Sequence, residues 1–151
     1  MNFKDDKRSG VIGLGLMGTA ITERLLEQGF HVFVWNRTRE KADSLFAFGA
    51  QWSNNPLADC DRVVISLYTS EVVESVVQQM LDDLQANPSN GALHGKILID
   101  TTTGAPEQSA AMWTHVATLG VQYLDAPISG WNWQSKREPV WQPKSEPVSR
   151  G

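Results

Sequence analysis

The stretch Val11-Ile12-Gly13-Leu14-Gly15-Leu16-Met17-Gly18 constrains the fold more than any other part of the chain. A short apolar run enters a Gly-x-Gly-x-x-Gly turn and a helical pattern leaves it, the order that a strand, a tight turn and a helix require. Each glycine has a physical task. Gly13 lets the chain turn sharply off the strand, Gly15 lacks the Cβ that would hold a pyrophosphate away from the backbone, and Gly18 lets the helix lie close to the sheet. The helix start offers unpaired N–H groups and partial positive charge to phosphates. A bare glycine-rich turn is a weak signal. Placed between a strand and a helix near the N-terminus, it predicts a dinucleotide site on Gly13, Leu14, Gly15, Leu16, Met17 and Gly18.

The rest of the chain repeats this alternation. Strands are expected at Ser9–Gly13, His31–Trp35, Ala50–Ser53, Asp61–Leu67, Ile97–Asp100 and Val121–Asp125. Helices are expected at Leu16–Gln28, Arg39–Phe48, Glu71–Leu84 and from about Thr103 to Leu119, with one helical turn between Asn54 and Asp59. The three consecutive apolar residues Val63, Val64 and Ile65 suit a parallel strand buried on both faces. The predicted fold class is therefore α/β, a doubly wound parallel sheet of Rossmann type with strand order 3-2-1-4-5-6 and right-handed crossovers.

In such a sheet ligands lie along the edge formed by the strand C-termini. Asn36-Arg37-Thr38 follows the second strand, where the adenosine ribose is read. An Asp or Glu there would favour NAD and repel a 2′-phosphate; neutral Asn36 beside cationic Arg37 favours NADP(H). Arg37 read instead as a solvated charge, and Thr38 as a helix cap, are the structural alternatives. Leu67 and Tyr68 end the fourth strand on the same edge; Tyr68 either flanks the cofactor or is a partly buried loop aromatic. Thr101-Thr102-Thr103 ends the fifth. There, strand propensity and capping compete with a hydroxyl donated to a substrate or ribose. No catalytic residue or metal ligand can be identified. His31, His94 and His115 do not cluster, and Cys60 reads as a small core residue.

A chain of 151 residues is one domain with room for a core. Its net charge of −4 and lack of a basic block argue against a nucleic-acid or membrane surface. One cysteine makes no disulfide framework, and Met1–Gly10 lacks the apolar core of a signal peptide. The expected compartment is the cytoplasm. Residues 1–8 read as a leader, 9–130 as the NADP-binding domain and 131–151 as a disordered tail.

From Val11 to Gly130 the chain resembles the β-hydroxyacid dehydrogenases, which include 3-hydroxyisobutyrate dehydrogenase, tartronate semialdehyde reductase and glyoxylate/succinic semialdehyde reductase. Gly13-Leu14-Gly15-Leu16-Met17-Gly18 is similar to the opening motif of that family, and Val34-Trp35-Asn36-Arg37-Thr38 to its NADP-preferring variant. Asp100-Thr101-Thr102-Thr103 with Pro106 resembles its Asp-x-Ser-Thr-x-x-Pro segment, and Asp125-Ala126-Pro127-Ile128-Ser129-Gly130 its substrate loop. Imine reductases share the first two motifs and are the nearest competing family; the last motif favours hydroxyacid chemistry. The resemblance implies hydride transfer between NADP(H) and a short 3-hydroxy acid or semialdehyde. Ser129 and Gly130 would hold the substrate carboxylate and Thr103 would sit near the nicotinamide ribose. A general acid/base lysine is expected on a helix beyond the loop.

The resemblance stops at Gly130. Trp131 stands where the family has a second glycine, and no catalytic-lysine motif follows; Lys136 and Lys144 lie in the wrong surroundings. The helical second domain, which completes the family's site, is expected to be missing. A shifted reading frame after codon 130 is the favoured explanation, and a genuine short protein with a partner-binding tail the other. The chain is then either an NADP-binding half of an oxidoreductase, inactive alone, or a non-enzymatic NADP-binding or interaction module, with its oligomeric state open.

Overall fold

The computed structural model describes residues 7–128. Six parallel strands form one sheet in the order β3-β2-β1-β4-β5-β6. They are β1 (Arg8–Ile12), β2 (His31–Trp35), β3 (Gln51–Trp52), β4 (Arg62–Ile65), β5 (Ile97–Asp100) and β6 (Gln122–Asp125). The expected order of strands is therefore the observed one. The helices are α1 (Leu16–Glu27), α2 (Asp43–Phe46), α3 (Pro56–Asp59), α4 (Ser70–Ala86) and α5 (Pro106–Ala117).

Side-chain alternation along the buried strands divides the core between the two faces. Val11, Val32 and Val34 pack with Leu14, Leu45 and the half-buried Ile21 and Leu25 of α1 on one face. Ile12, Val63, Ile65 and Leu98 pack with Val73, Val77 and Leu81 of α4 and with Met112 and Val116 of α5 on the other. Each fully buried Val, Ile or Leu stabilises the fold by about 2 kcal/mol.

Register matters more to function than strand length. Ile12 pairs with both Trp35 and Ile65, Ile65 with Asp100, and Asp100 with Asp125. The strand ends thus form one row across five strands. The N–H groups of Gly13, Ser66, Thr101 and Ala126 extend the ladder by donating to Trp35, Ile12, Ile65 and Asp100 carbonyls. The chain therefore leaves the sheet at one level, and the loops that follow β1, β2, β4, β5 and β6 share an edge.

Several expected boundaries move. β1 starts at Arg8, which pairs with His31, so residue 8 is sheet rather than leader. Gly13 is not strand, because its φ of +96° turns the chain out of the sheet. The second helix is a 3₁₀ turn, Arg39–Ala42, followed by the short α2. Thr38 does not cap it with its side chain; Lys41 N–H bonds the Thr38 carbonyl, closing a tighter i to i+3 turn. Thr103 does not cap α5 either. Pro106 takes the first helical position and forces its predecessor into extended backbone, so the boundary residue is Ala105 (φ −73°, ψ 136°). Thr69 caps α4 by accepting from Val72 N–H at 3.3 Å. His115 lies in the last turn of α5. Residues 1–6 and 129–151, hence the tail, Ser129 and Gly130, lie outside the described residues.

Candidate functional site

The glycine-rich turn sits where β1 meets α1, beside the reversal of strand order between β1 and β4. Gly13 and Gly18 make it possible. A Cβ on Gly13 would lie 1.9 Å from the Ser66 carbonyl oxygen at the end of β4, and one on Gly18 would lie 1.7 Å from the Gly13 carbonyl oxygen. Both are excluded by overlap with backbone, which cannot rotate away. Gly18 thus brings the first turn of α1 down onto the turn itself, with Ser66 Cβ at 3.6 Å.

Gly15 differs. Its φ of −70° and ψ of −166° are open to any residue, and among the described residues a Cβ there meets only Tyr68 Oη, at 3.7 Å. Nothing in the packing asks for glycine at this position. Gly15 is also the cap position of α1, and among the described residues no side chain bonds the helix start. A 12-residue helix therefore presents free N–H groups and its positive end to the sheet edge. A position packed loosely yet glycine, on an uncapped helix start, fits the approach of a phosphate group.

The loop after β2 is tied to this turn. Asn36 Oδ1 accepts from Leu14 N–H at 2.9 Å, and Asn36 Nδ2 donates to the Thr38 carbonyl at 2.9 Å. Arg37 and Thr38 are exposed. Arg39 lies over the Trp52 ring at 5.0 Å, and Trp52 Nε1 donates to Asn54 at 3.0 Å, so this guanidinium sits against the end of β3. Arg39 and Lys41 were not singled out by sequence; each is an exposed cation one turn or less beyond Arg37.

Across the switch point, Leu67 and Tyr68 follow β4. The Leu67 side chain packs 2.9 Å from where a Gly13 Cβ would be. Tyr68 is 84% exposed, with its hydroxyl near Gly15. The alternative of a partly buried loop aromatic does not hold, because the ring stands in solvent above the turn.

The threonine row divides. Thr101 Oγ1 donates to the Ile65 carbonyl at 2.7 Å, and Thr102 Oγ1 accepts from Leu67 N–H at 3.0 Å. Both are structural. Thr103 is exposed, and its hydroxyl has no partner among the described residues. Behind the row, buried Asp100 accepts from Thr102 N–H and from the Tyr123 hydroxyl. Burial, then the Asp100 carboxylate, push the Tyr123 phenol well above its ordinary range. Its hydroxyl donates to Asp100. Periodicity gave no sign of this pair, since Tyr123 reads as an ordinary strand aromatic.

A cleft of about 200 Å³ between α4 and α5 is lined by Glu74, Gln78, Asp100, Ser109, His115 and Tyr123 among others. Its rims are bridged by Gln108 to Glu71 at 2.8 Å and His115 to Gln78 at 2.8 Å. The first bond holds the Glu71 carboxyl below its usual range. None of the glycine-turn residues lines it. Among the described residues no group of three His, Cys, Asp or Glu side chains could hold a metal ion, and no helix is long and apolar enough to cross a membrane.

Gly13 to Gly18, Asn36, Leu67 and Tyr68 thus converge on one edge, and Arg37, Thr38 and Thr103 are exposed beside it. The geometry agrees with the comparisons. Residues 8–140 match the NAD binding domain of 6-phosphogluconate dehydrogenase. The cytokine-like nuclear factor N-PAC of Xenopus tropicalis is 34% identical over 128 residues, 83% of this chain and 23% of that protein. Glyoxylate/succinic semialdehyde reductase 2, chloroplastic, of Arabidopsis thaliana is 31% identical over 128 residues, 80% of this chain and 33% of that protein. The solved imine reductase from Myxococcus stipitatus in complex with NADP+ superposes with a TM-score of 0.68 at 27% identity, covering 77% of this chain and 39% of that one. The chain spans only 23 to 39% of these proteins. By its fold, its open glycine-rich turn and a match over most of its length, the chain belongs to the family of NAD(P)-binding Rossmann domains represented by 6-phosphogluconate dehydrogenase.

Proposed function

We infer that this domain binds NADP(H) in preference to NAD(H), in the cytoplasm, as the cofactor half of an oxidoreductase. The observation that carries the reading is the loop after β2. Asn36-Arg37-Thr38 carries no carboxylate to repel a 2′-phosphate, and exposed Arg37 follows the residue whose amide bonds Leu14 in the glycine-rich turn. Gly13, Leu14, Gly15, Leu16, Met17 and Gly18 would hold the pyrophosphate; Asn36, Arg37 and Thr38 would face the adenosine end; Leu67, Tyr68 and Thr103 would flank the nicotinamide end. When bound, the cofactor supplies a hydride. The chain's own part is to bind, orient and shield it.

The substrate is a short 3-hydroxy acid or its semialdehyde, gripped at the carboxylate by Ser129 and Gly130, and the domain alone does not turn over. The match to a semialdehyde reductase supports this substrate class. The imine reductase match favours a second reading, a related enzyme acting on imines with the same cofactor. The nuclear-factor match favours a non-enzymatic NADP-binding or interaction module.

Fluorescence titration of the 151-residue chain with NADPH and NADH tests the cofactor reading. NADPH is expected to bind at least about tenfold more tightly, and Arg37→Ala to remove most of that preference. Equal affinities, or a preference for NADH, overturn it. Clear oxidation of NADPH by succinic semialdehyde with the pure chain would overturn the expected inactivity.

A further inference from the structure

Asn36 occupies the position expected to read the ribose, yet its side chain is already engaged at both ends within the protein. Its Oδ1 accepts from the N–H of Leu14, a residue 3% exposed inside the glycine-rich turn. Its Nδ2 donates to the carbonyl of Thr38, beyond Arg37. One planar amide thus joins the segment that would hold the pyrophosphate to the segment that would hold the adenosine phosphate, 22 residues apart in sequence. The backbone runs beside it in the same sense, since Gly13 N–H donates to the Trp35 carbonyl at 2.9 Å. Only an amide does both tasks. A carboxylate accepts from Leu14 but turns a second acceptor toward the Thr38 carbonyl, and a methyl leaves a buried N–H without a partner.

We propose that Asn36 is a positioning residue that sets the spacing between the two phosphate-binding segments before any nucleotide arrives, rather than a reader of the ribose. The proposal rests on the NADP(H) reading for its consequence, but not for its geometry. Asn36 keeps Leu14 N–H turned inward and bonded. The N–H groups that remain free for a phosphate are then those at the start of α1. Through Thr38 it also fixes where the Arg37 guanidinium starts from. Preorganisation of this kind raises affinity by lowering the ordering that binding must impose.

The test compares Asn36→Ala and Asn36→Asp with the unsubstituted full chain, well below their melting temperatures. Amide hydrogen exchange at Leu14 is followed without nucleotide, and affinities for NADPH and NADH are measured. In Asn36→Ala, Leu14 exchange is expected to rise about tenfold or more, and both affinities to fall together by about tenfold. In Asn36→Asp, Leu14 is expected to stay protected while the tie to Thr38 is lost, with no gain in NADH affinity over the unsubstituted chain. A purely structural role would lower the melting temperature of both variants without separating them in this way. Unchanged Leu14 exchange in Asn36→Ala overturns the proposal. So does a loss confined to NADPH in that variant, or a clear gain for NADH in Asn36→Asp, since each would mean that the side chain touches the ribose. If the unsubstituted chain binds neither dinucleotide, the cofactor reading fails, while exchange at Leu14 still decides the role of Asn36.

Discussion

The loops after β1 and after β5 emerge at the same level of the sheet and are built on opposite plans. After β1 the side chains are withdrawn: three glycines leave backbone N–H groups bare at an uncapped helix start. After β5 the side chains close the backbone. Asp100, Thr101 and Thr102 bond Thr102 N–H, the Ile65 carbonyl and Leu67 N–H, and of the three threonines only Thr103 is exposed. The first loop is ready for an anion. The second is a brace that holds the end of β4, and with it Leu67 and Tyr68, in place beside the first. Binding surface and scaffold are thus separate loops on one edge, distinguished by which backbone groups remain unpaired.

The contrast is most easily broken at Gly13 and Gly18. Alanine at either position drives a methyl into a carbonyl oxygen at less than 2 Å. Chemical denaturation is expected to show a loss of about 3 kcal/mol or more, or no folded protein. A variant as stable as the parent would mean that the turn is not as described. Gly15→Ala sharpens the contrast, because among the described residues its methyl has no neighbour closer than Tyr68 Oη at 3.7 Å. Stability is expected to stay within about 1 kcal/mol, while NADPH affinity falls on the order of tenfold. Unaltered binding would remove Gly15 from the site.

The brace gives smaller effects. A Cβ on Gly104 would lie 1.8 Å from Ser70 Oγ, where the loops after β4 and β5 touch. Gly104→Ala is expected to cost about 1–3 kcal/mol, with partial recovery when combined with Ser70→Ala. Strictly additive losses in that double-mutant cycle would show that the two positions do not meet. The smallest effect concerns pH. Burial beside Asp100 raises the Tyr123 phenol above its ordinary value of 10.0. Above that pH the unfolded chain releases a proton that the folded chain keeps, so stability is complete below pH 10 and declines as pH rises further. Tyr123→Phe should flatten that decline in denaturant midpoints measured at alkaline pH; an equal decline in both proteins would exclude Tyr123 as its source.

Alternating apolar runs, glycine stops and the fingerprint were enough to read the sheet, its strand order and the turn that opens α1. These are local patterns repeated at fixed periods, and parallel connection rules leave few topologies for them. Helix starts were less legible. Thr38 and Thr103 are good capping residues by type, yet the actual starts were decided by a 3₁₀ turn and by Pro106. Of the candidate site, Gly13 through Gly18 could be named from the pattern. The separate task of each glycine could be named too; the atoms that enforce them, Ser66 beside Gly13 and Tyr68 beside Gly15, could not, because they arrive from beyond β4.

The sequence by itself determined that this chain builds a doubly wound parallel sheet with a dinucleotide fingerprint, since periodicity and the absence of a Cβ are properties of the residues alone. Tertiary structure decided which threonine is free, which glycine is dispensable for packing, and that the Asn36 amide faces inward to Leu14 and Thr38. Apart from the Asn36–Thr38 bond, which spans two residues, those outcomes depend on which donors and acceptors meet across 20 or more residues, and such a hydrogen bond has no partner until the fold supplies one.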